Sequence, residues 1–291
     1  MRVLITGGEG FTGRYMRAEL ESHGHEVVSV ARSPTENAGL VLDLCDRTAV
    51  IEAISSLQVD AVVHLAAIAF VAHGDVDQMY RVNVVGTRNL LEALSCSSHP
   101  PSAVLIASSA NVYGNSDSEI IDECVLPKPA NDYAVSKLAM EYMARIWMNR
   151  LPIMFVRPFN YTGVGQGASF LIPKIVSHFR MGADEISLGN LDVVREFQDV
   201  RDVVAIYREL LNHGRAGETY NICSGVGYSL LEVMQILEGM TGNRLRAIVN
   251  PDLVRANEVR KLVGSGSKLE SVLPGHPRRP LQETLTWMLS E

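Results

Sequence analysis

Tyr133 and Lys137 stand four residues apart in Tyr133-Ala134-Val135-Ser136-Lys137. On a helix this spacing puts a phenol and an ammonium on one face. A nearby cation favours the phenolate, so Lys137 is expected to lower the tyrosine pKa. Such a tyrosine trades a proton with a carbonyl or an alcohol while hydride moves to or from a nicotinamide. Alone, Tyr-x-x-x-Lys is equally a piece of surface decoration. A third group stands in Ala107-Ser108-Ser109-Ala110-Asn111-Val112-Tyr113-Gly114, which leaves the end of an apolar run. Ser109 can hydrogen-bond the oxygen that Tyr133 protonates, or it can be a turn serine.

A second constellation binds rather than reacts. Val3-Leu4-Ile5-Thr6 runs into Gly7-Gly8-Glu9-Gly10-Phe11-Thr12-Gly13, with glycines at Gly7-x-x-Gly10-x-x-Gly13. Gly7 allows a tight turn, Gly10 lets backbone approach a pyrophosphate, and Gly13 lets helix and strand pack closely. The helix N-terminus then offers amides and a positive dipole end to the phosphates. At the end of the next apolar run an acidic residue would read the ribose of NAD. This chain has Val30-Ala31-Arg32-Ser33 instead. Arg32 can pair with a 2′-phosphate, which favours NADP(H) and leaves NAD(H) possible. A solvated surface arginine is the alternative. Glu36 comes too late to replace the missing acid. Asp43 can meet the adenine or cap a helix.

These residues need a frame. Short apolar runs at Val3–Thr6, Glu26–Ala31, Leu40–Leu44, Ala61–Leu65, Ala103–Ser108 and Ile153–Arg157 predict strands. Phe11–Ser22, Thr48–Leu57, Val76–Leu94 and Tyr133–Asn149 predict helices between them. Alternation of this kind predicts an α/β fold, a doubly wound parallel sheet of Rossmann type covered on both faces. After Pro158 the rhythm breaks. A helix is expected over Phe170–Arg180, strands over Arg195–Gln198 and Glu218–Cys223, and a helix over Val200–Asn212. The remainder reads as shorter, more polar and less regular. The expected division is a dinucleotide-binding domain over 1–158, to which 196–222 returns, and a smaller α+β substrate-binding cap from 159–195 and 223–291.

Composition bounds the function. The chain has 291 residues, 47% hydrophobic and 20% charged, with 26 basic and 33 acidic side chains and a net charge of −7. No basic face for nucleic acid is implied. No apolar run approaches the roughly 20 residues of a membrane helix, and the N-terminus opens directly into a strand, so a cytoplasmic protein without a secretory signal is expected. Cys45, Cys96, Cys124 and Cys223 contain no CxxC pair, which argues against a zinc or dithiol site.

In order along the chain, Gly7 to Gly13, His64-Leu65-Ala66-Ala67, Asn83-Val84-Val85-Gly86-Thr87, Ser109 with Val112-Tyr113-Gly114, Tyr133 to Lys137, and Arg157-Pro158-Phe159-Asn160 resemble the extended short-chain dehydrogenase/reductases. This NAD-dependent epimerase/dehydratase family acts on nucleotide-diphosphate sugars. The resemblance spans nearly the whole chain. It implies a catalytic set of Ser109, Tyr133 and Lys137, with Lys137 also holding the nicotinamide ribose and Asn83 bracing the active-site helix pair. It further implies cofactor contacts at Gly7, Gly10, Phe11, Thr12, Gly13, Arg32, Asp43, Leu44, Leu65, Ala66, Ala67 and Phe159, no metal, and a homodimer built on Val76–Leu94 and Tyr133–Asn149.

Within the family, Phe170-Leu171-Ile172-Pro173-Lys174-Ile175 and Arg255-Ala256-Asn257-Glu258-Val259 are similar to the branch of GDP-mannose 4,6-dehydratases and GDP-4-keto-6-deoxy-D-mannose reductases. Substrate contacts are then implied at Ser109, Asn111, Asn160, Phe170, Leu171, Lys174, Arg195, Arg255 and Glu258. Lys174 would meet the base, Arg195 and Arg255 the diphosphate, and Glu258 the ribose. By residue type alone Lys174 and Glu258 read as solvated helix residues, and either arginine as half of a surface ion pair. Dehydratases carry a glutamate two places after the catalytic hydroxyl residue. Asn111 stands there, and an amide is no general base near neutral pH. The expectation is therefore NADPH-dependent reduction of the C4 ketone of a GDP-4-keto-6-deoxyhexose, giving GDP-6-deoxy-D-mannose or its C4 epimer. The alternatives are a nucleotide-sugar 4-epimerase, a 4-ketoreductase for another nucleotide sugar, and a non-catalytic dinucleotide sensor.

Overall fold

The computed structural model describes residues 1–34, 39–69, 75–254 and 258–291. Its first half alternates as the apolar runs require: β1 (Arg2–Thr6), α1 (Phe11–Ser22), β2 (Glu26–Ala31), β3 (Leu40–Val41), α2 (Arg47–Ser55), β4 (Ala61–His64), α3 (Val76–Tyr80), α4 (Thr87–Ser95), β5 (Ala103–Ala107), α5 (Asp132–Arg145) and β6 (Ile153–Pro158). There follow β7 (Tyr161–Thr162), α6 (Leu171–Arg180), β8 (Glu185–Leu188), β9 (Val194–Arg195), β10 (Gln198–Asp199), α7 (Val200–His213), β11 (Thr219–Ile222), β12 (Tyr228–Ser229), α8 (Leu230–Thr241), β13 (Arg246–Val249), β14 (Lys261–Leu262), α9 (Ser267–Val272) and α10 (Leu281–Ser290).

Seven strands form one sheet in the order β11-β6-β5-β4-β1-β2-β3. Every pairing in it is parallel. The strand order reverses between β1 and β4, where open α/β sheets bind ligands. Alternate strand residues face opposite layers. Leu4, Val62, Val104 and Phe155 pack on Val50, Ile54, Leu90, Leu91 and Met140 from α2, α4 and α5. Val3, Ile5, Val63, Leu105 and Val156 pack on Met16, Leu20, Val203, Tyr207 and Leu210 from α1 and α7, with Leu269 from α9. Burial on both faces explains why these strands read as unbroken apolar runs.

The structure departs from the sequence expectations in several places, and α5 ends at Arg145 rather than Asn149. The third strand stops at Val41 rather than Leu44. The single helix expected over Val76–Leu94 is α3 and α4 joined by a π-helical turn, Arg81–Gly86. The strand expected over Arg195–Gln198 is two short strands in different sheets: β9 lies between β12 and β14, and β10 pairs with β7. The C-terminal region is regular, not irregular. There α6, α8 and α10 enclose a separate apolar cluster that includes Ile175, Phe179, Val233, Leu237 and Leu285, with β8 and β13 paired beside it. The start of α8 is written in the sequence: the Ser229 hydroxyl accepts from the Glu232 amide while the Glu232 carboxylate accepts from the Ser229 amide. No helix among the described residues is long and apolar enough to cross a membrane.

Candidate active site

Strand register brings the site together. Thr6 pairs with His64, and His64 with Ile106, so β1, β4 and β5 end level. The loops Gly7–Gly10, Leu65–Ala67 and Ser108–Tyr113 therefore leave the sheet at one edge. Gly7 has φ of +72°, and a Cβ there would stand 2.7 Å from the Ala66 amide nitrogen. At Gly13 a Cβ would collide with the Gly7 carbonyl and the Gly8 backbone. The Gly10 amide donates to the Gly7 carbonyl at 3.0 Å, and Gly10 is the N-cap of α1 with no side chain covering the helix start. Gly7 and Gly13 thus have local steric reasons, while Gly10 leaves the helix N-terminus open to an anion. Thr12 shares a 2.7 Å hydrogen bond with the Tyr161 hydroxyl, and the Phe11 ring stacks on Tyr161 at 6.2 Å.

Behind this loop lies a chain of hydrogen bonds. His64 Nε2 lies 2.8 Å from Thr87 Oγ1, whose proton is donated to the Asn83 carbonyl. Thr87 therefore accepts from His64 Nε2–H, and His64 Nδ1 accepts from the Thr6 hydroxyl at 2.6 Å. Burial, aided by the positive Lys137, pushes the His64 pKa down to about 3, so the ring is neutral. Asn83 donates to Ser136 Oγ at 2.9 Å and to the Ile68 carbonyl, and accepts from the Ile68 amide at 2.8 Å. Its amide thus ties the π-helical turn to α5 and to the loop after β4. Ser136 in turn donates to the Tyr133 carbonyl. The available signal was the family motifs, in which Asn83 is expected to brace the helix pair and His64 stands in His64-Leu65-Ala66-Ala67 with no role given.

Asn131 caps α5 by accepting from the Ala134 amide at 2.9 Å, which places Tyr133 in the first turn. Ser109, Tyr133 and Lys137 are all buried. The Ser109 hydroxyl lies near Tyr133 and favours its phenolate. The structure corrects one expectation here. Burial raises Tyr133 to about 12, against the opposing Ser109 hydrogen bond, and Lys137 does not offset it. Desolvation outweighs the ammonium, and it also drives Lys137 itself down to about 8 despite the carboxylate of Glu141. No hydrogen bond reaches the Lys137 ammonium among the described residues, although it is only 4% exposed. A buried ammonium of that kind fits a ligand that brings hydroxyl oxygens, such as the ribose of a dinucleotide. Beneath it, Glu141 and Arg157 form a buried bidentate pair at 2.9 and 2.6 Å, and Arg157 lies 4.9 Å from the centre of the Tyr113 ring.

The remaining expected cofactor residues are peripheral. Arg32 is exposed, with Nε 4.0 Å from Asp43 Oδ2. Asp43 accepts from the Cys45 amide, and α2 is capped by Asp46, which settles the helix-cap alternative for Asp43. Leu44 is buried, and its carbonyl accepts from Asn89. Phe159 is turned into an apolar cluster and stacks on Tyr113 at 6.3 Å.

The expected substrate residues are brought together only in part. Arg195 donates to Glu258 at 2.8 Å, to the Val194 and Arg260 carbonyls at 3.0 and 3.2 Å, and to the Val259 carbonyl. The two residues expected to read different parts of a nucleotide are thus partners of each other. Lys174 Nζ donates to the Ser187 carbonyl at 2.6 Å, tying α6 to β8. Asn160 is exposed and its carbonyl accepts from the Gln198 amide. Phe170 is the exposed N-cap of α6, and Leu171 follows it. Arg255 lies outside the described residues. Glu196, which carried no sequence signal, is fully buried and accepts from the Ser224 hydroxyl at 2.8 Å, from the Gly264 amide at 2.6 Å, and from the Ser224 and Gly225 amides.

A family profile described as NAD dependent epimerase/dehydratase family matches residues 3–223. The chain belongs to that family. It is accordingly an NAD(P)-dependent oxidoreductase of the extended short-chain dehydrogenase/reductase type, with a nicotinamide dinucleotide as cofactor. The chain is 35% identical to a GDP-6-deoxy-D-talose 4-dehydrogenase from Aggregatibacter actinomycetemcomitans, over 94% of this chain and 91% of that protein. It is 32% identical to a GDP-6-deoxy-D-mannose reductase from Pseudomonas aeruginosa, over 100% and 96%. Among solved structures, RMD from Pseudomonas aeruginosa complexed with NADPH superposes with a TM-score of 0.87 at 31% identity, covering 99% of this chain and 97% of that one. A Burkholderia cenocepacia J2315 protein with a provisional epimerase assignment gives 0.93 at 49% identity, covering 99% and 97%.

Proposed function

We propose that the protein reduces the C4 ketone of a GDP-4-keto-6-deoxyhexose, with NADPH, to GDP-6-deoxy-D-mannose or its C4 epimer. The observation that carries this reading is the buried Ser109, Tyr133 and Lys137 set at the strand-order reversal. Both named relatives support it, since one is a 6-deoxy-D-mannose reductase and the other a 6-deoxy-D-talose 4-dehydrogenase. Those two sugars differ in configuration at C4.

The chemistry follows from protonation states. Tyr133, at about 12, keeps its proton at neutral pH and can give it to the C4 oxygen. A nicotinamide dinucleotide, when bound, would supply the hydride for C4. Ser109 donates a hydrogen bond to the same oxygen and polarises the carbonyl. Lys137 stabilises the phenolate that Tyr133 becomes and hydrogen-bonds the nicotinamide ribose. Asn111 leaves the loop without the carboxylate that dehydration would require. The region 159–195 and 223–291 acts as the substrate-binding cap, with Phe170, Leu171 and Lys174 at the base and Arg195, Arg255 and Glu258 at the diphosphate and ribose. Arg32 reads the 2′-phosphate.

Incubation with GDP-4-keto-6-deoxymannose and NADPH tests the reading. Loss of NADPH absorbance is the expected result, with the product configuration read by NMR; no loss overturns it. The provisional epimerase assignment of the 49% identical structure favours a second reading, a nucleotide-sugar 4-epimerase. An epimerase regenerates its dinucleotide within each cycle, so tightly held NAD in purified protein would favour that reading. The exposed Val85, Val135, Tyr142 and Ile146 on the π-helical turn and around α5 are the proposed homodimer face, which light scattering tests.

A further inference from the structure

A serine hydroxyl has two acceptor positions and one proton. Both acceptor positions of Ser109 are filled by one residue. The backbone amide of Asn111 donates to Ser109 Oγ at 3.2 Å, and its side-chain Nδ2 donates to the same atom at 3.1 Å. The geometry is local: Ser109 caps the short 3₁₀ turn Ala110–Tyr113, which folds Asn111 back over it. What Ser109 has left is its own O–H, beside the buried Tyr133 phenol, whose pKa this hydroxyl lowers against the effect of burial. Asn111 is partly exposed, whereas Ser109 and Tyr133 are buried, so the amide closes the solvent side of the pair.

We infer that Asn111 is a positioning residue for the reduction, whose carboxamide saturates the acceptor side of Ser109 and so commits the serine proton to the oxygen that accepts hydrogen at C4. The inference rests on the C4-reductase reading above. An acceptor at this position would reverse the arrangement, because the serine proton would turn toward it and away from the reacting oxygen. The residue thus does more than omit a base.

Asn111→Asp makes that reversal and Asn111→Ala removes one donor. Near neutral pH, Asn111→Asp is expected to lower kcat about a hundredfold, the order of one well-placed oxyanion donor, with KM for the 4-keto sugar nucleotide little changed. The deficit shrinks as pH is lowered toward about 5, because a protonated carboxyl can donate as the amide does. Asn111→Ala loses about tenfold, independently of pH. Equal, pH-independent losses in both variants would mean a structural role and overturn the inference. So would wild-type kcat in Asn111→Asp. A second measurement needs no substrate. With 3-fluorotyrosine placed at position 133, ¹⁹F titration of the dinucleotide complex should show a higher phenol pKa in Asn111→Asp, by about one unit, since the serine hydrogen bond is withdrawn and a negative charge added. An unchanged titration overturns the positioning role. A shifted titration without ketone turnover in the wild type would overturn the C4-reductase reading and leave the positioning of Ser109 intact.

Discussion

The wall that holds Ser109, Tyr133 and Lys137 and the region that holds Arg195, Lys174 and Glu258 are built differently. The wall hangs on long parallel strands in register. Its polar groups point inward and are satisfied through His64, Thr87, Asn83 and Ser136, while the Lys137 ammonium is left without a hydrogen bond among the described residues. In the other region the charges are already engaged. Arg195, on the two-residue β9, is held by Glu258 and by carbonyls, and Lys174, on α6, by the Ser187 carbonyl of the four-residue β8. A rigid scaffold can keep a group such as the Lys137 ammonium free of protein hydrogen bonds, because burial on all sides replaces contacts as the restraint. Where the strands are short, charged side chains serve as cross-links between elements.

Four outcomes would sharpen or break this contrast. The largest belongs to the wall. Tyr133→Phe should cut turnover by about 10²–10⁴-fold while calorimetry still finds the dinucleotide bound, because only a proton donor is removed. Loss of cofactor affinity would make Tyr133 structural and erase the distinction. Next, Arg195→Ala should lower stability by about 3 kcal/mol in denaturant unfolding, since it removes a buried guanidinium shared by Glu258 and several backbone carbonyls. A loss below about 1 kcal/mol, the worth of an exposed pair, would show that Arg195 is no cross-link.

The two smaller effects are in pH. Lys137 titrates near 8 in the free protein, below its ordinary 10.5, so the phenolate loses its stabilising cation as pH rises through that value. The rate should fall on that alkaline limb, and Lys137→Arg should remove the limb even if it lowers the rate. A limb unchanged in that variant would assign it elsewhere. His64 lies near 3 against an ordinary 6.5. Because the folded value is depressed, neutral His64 contributes stability that is present above 6.5 and is lost as pH falls toward 3. Thermal unfolding across that window should therefore show a falling melting temperature, and His64→Gln should flatten the slope. An identical slope would place the acid sensitivity in another group.

Much of the wall was legible. Helix α1 and strand β2 have the ends their apolar periodicity and flanking glycines predict, and the Tyr133–Lys137 spacing describes one helical face. These features depend on residues close in sequence. The direction of the Tyr133 shift was not legible, because desolvation depends on what covers the ring, and Tyr161 and the helices against it arrive from distant segments. The Arg195–Glu258 pair joins residues 63 apart. The regular C-terminal elements were missed, the Ser229-x-x-Glu232 capping box among them, since two-residue strands carry no period to detect.

The amino-acid sequence by itself determined the α/β class, the open glycine turn at the start of α1, and the placement of Tyr133 and Lys137 four residues apart on one helix. Those follow from steric limits and helical spacing, which act over a few residues. Only the tertiary structure decided how burial shifts these groups and which distant charged residues are already paired. Ionisation and hydrogen-bond saturation are set by everything that surrounds an atom, and the chain supplies those surroundings from segments that meet only when it folds.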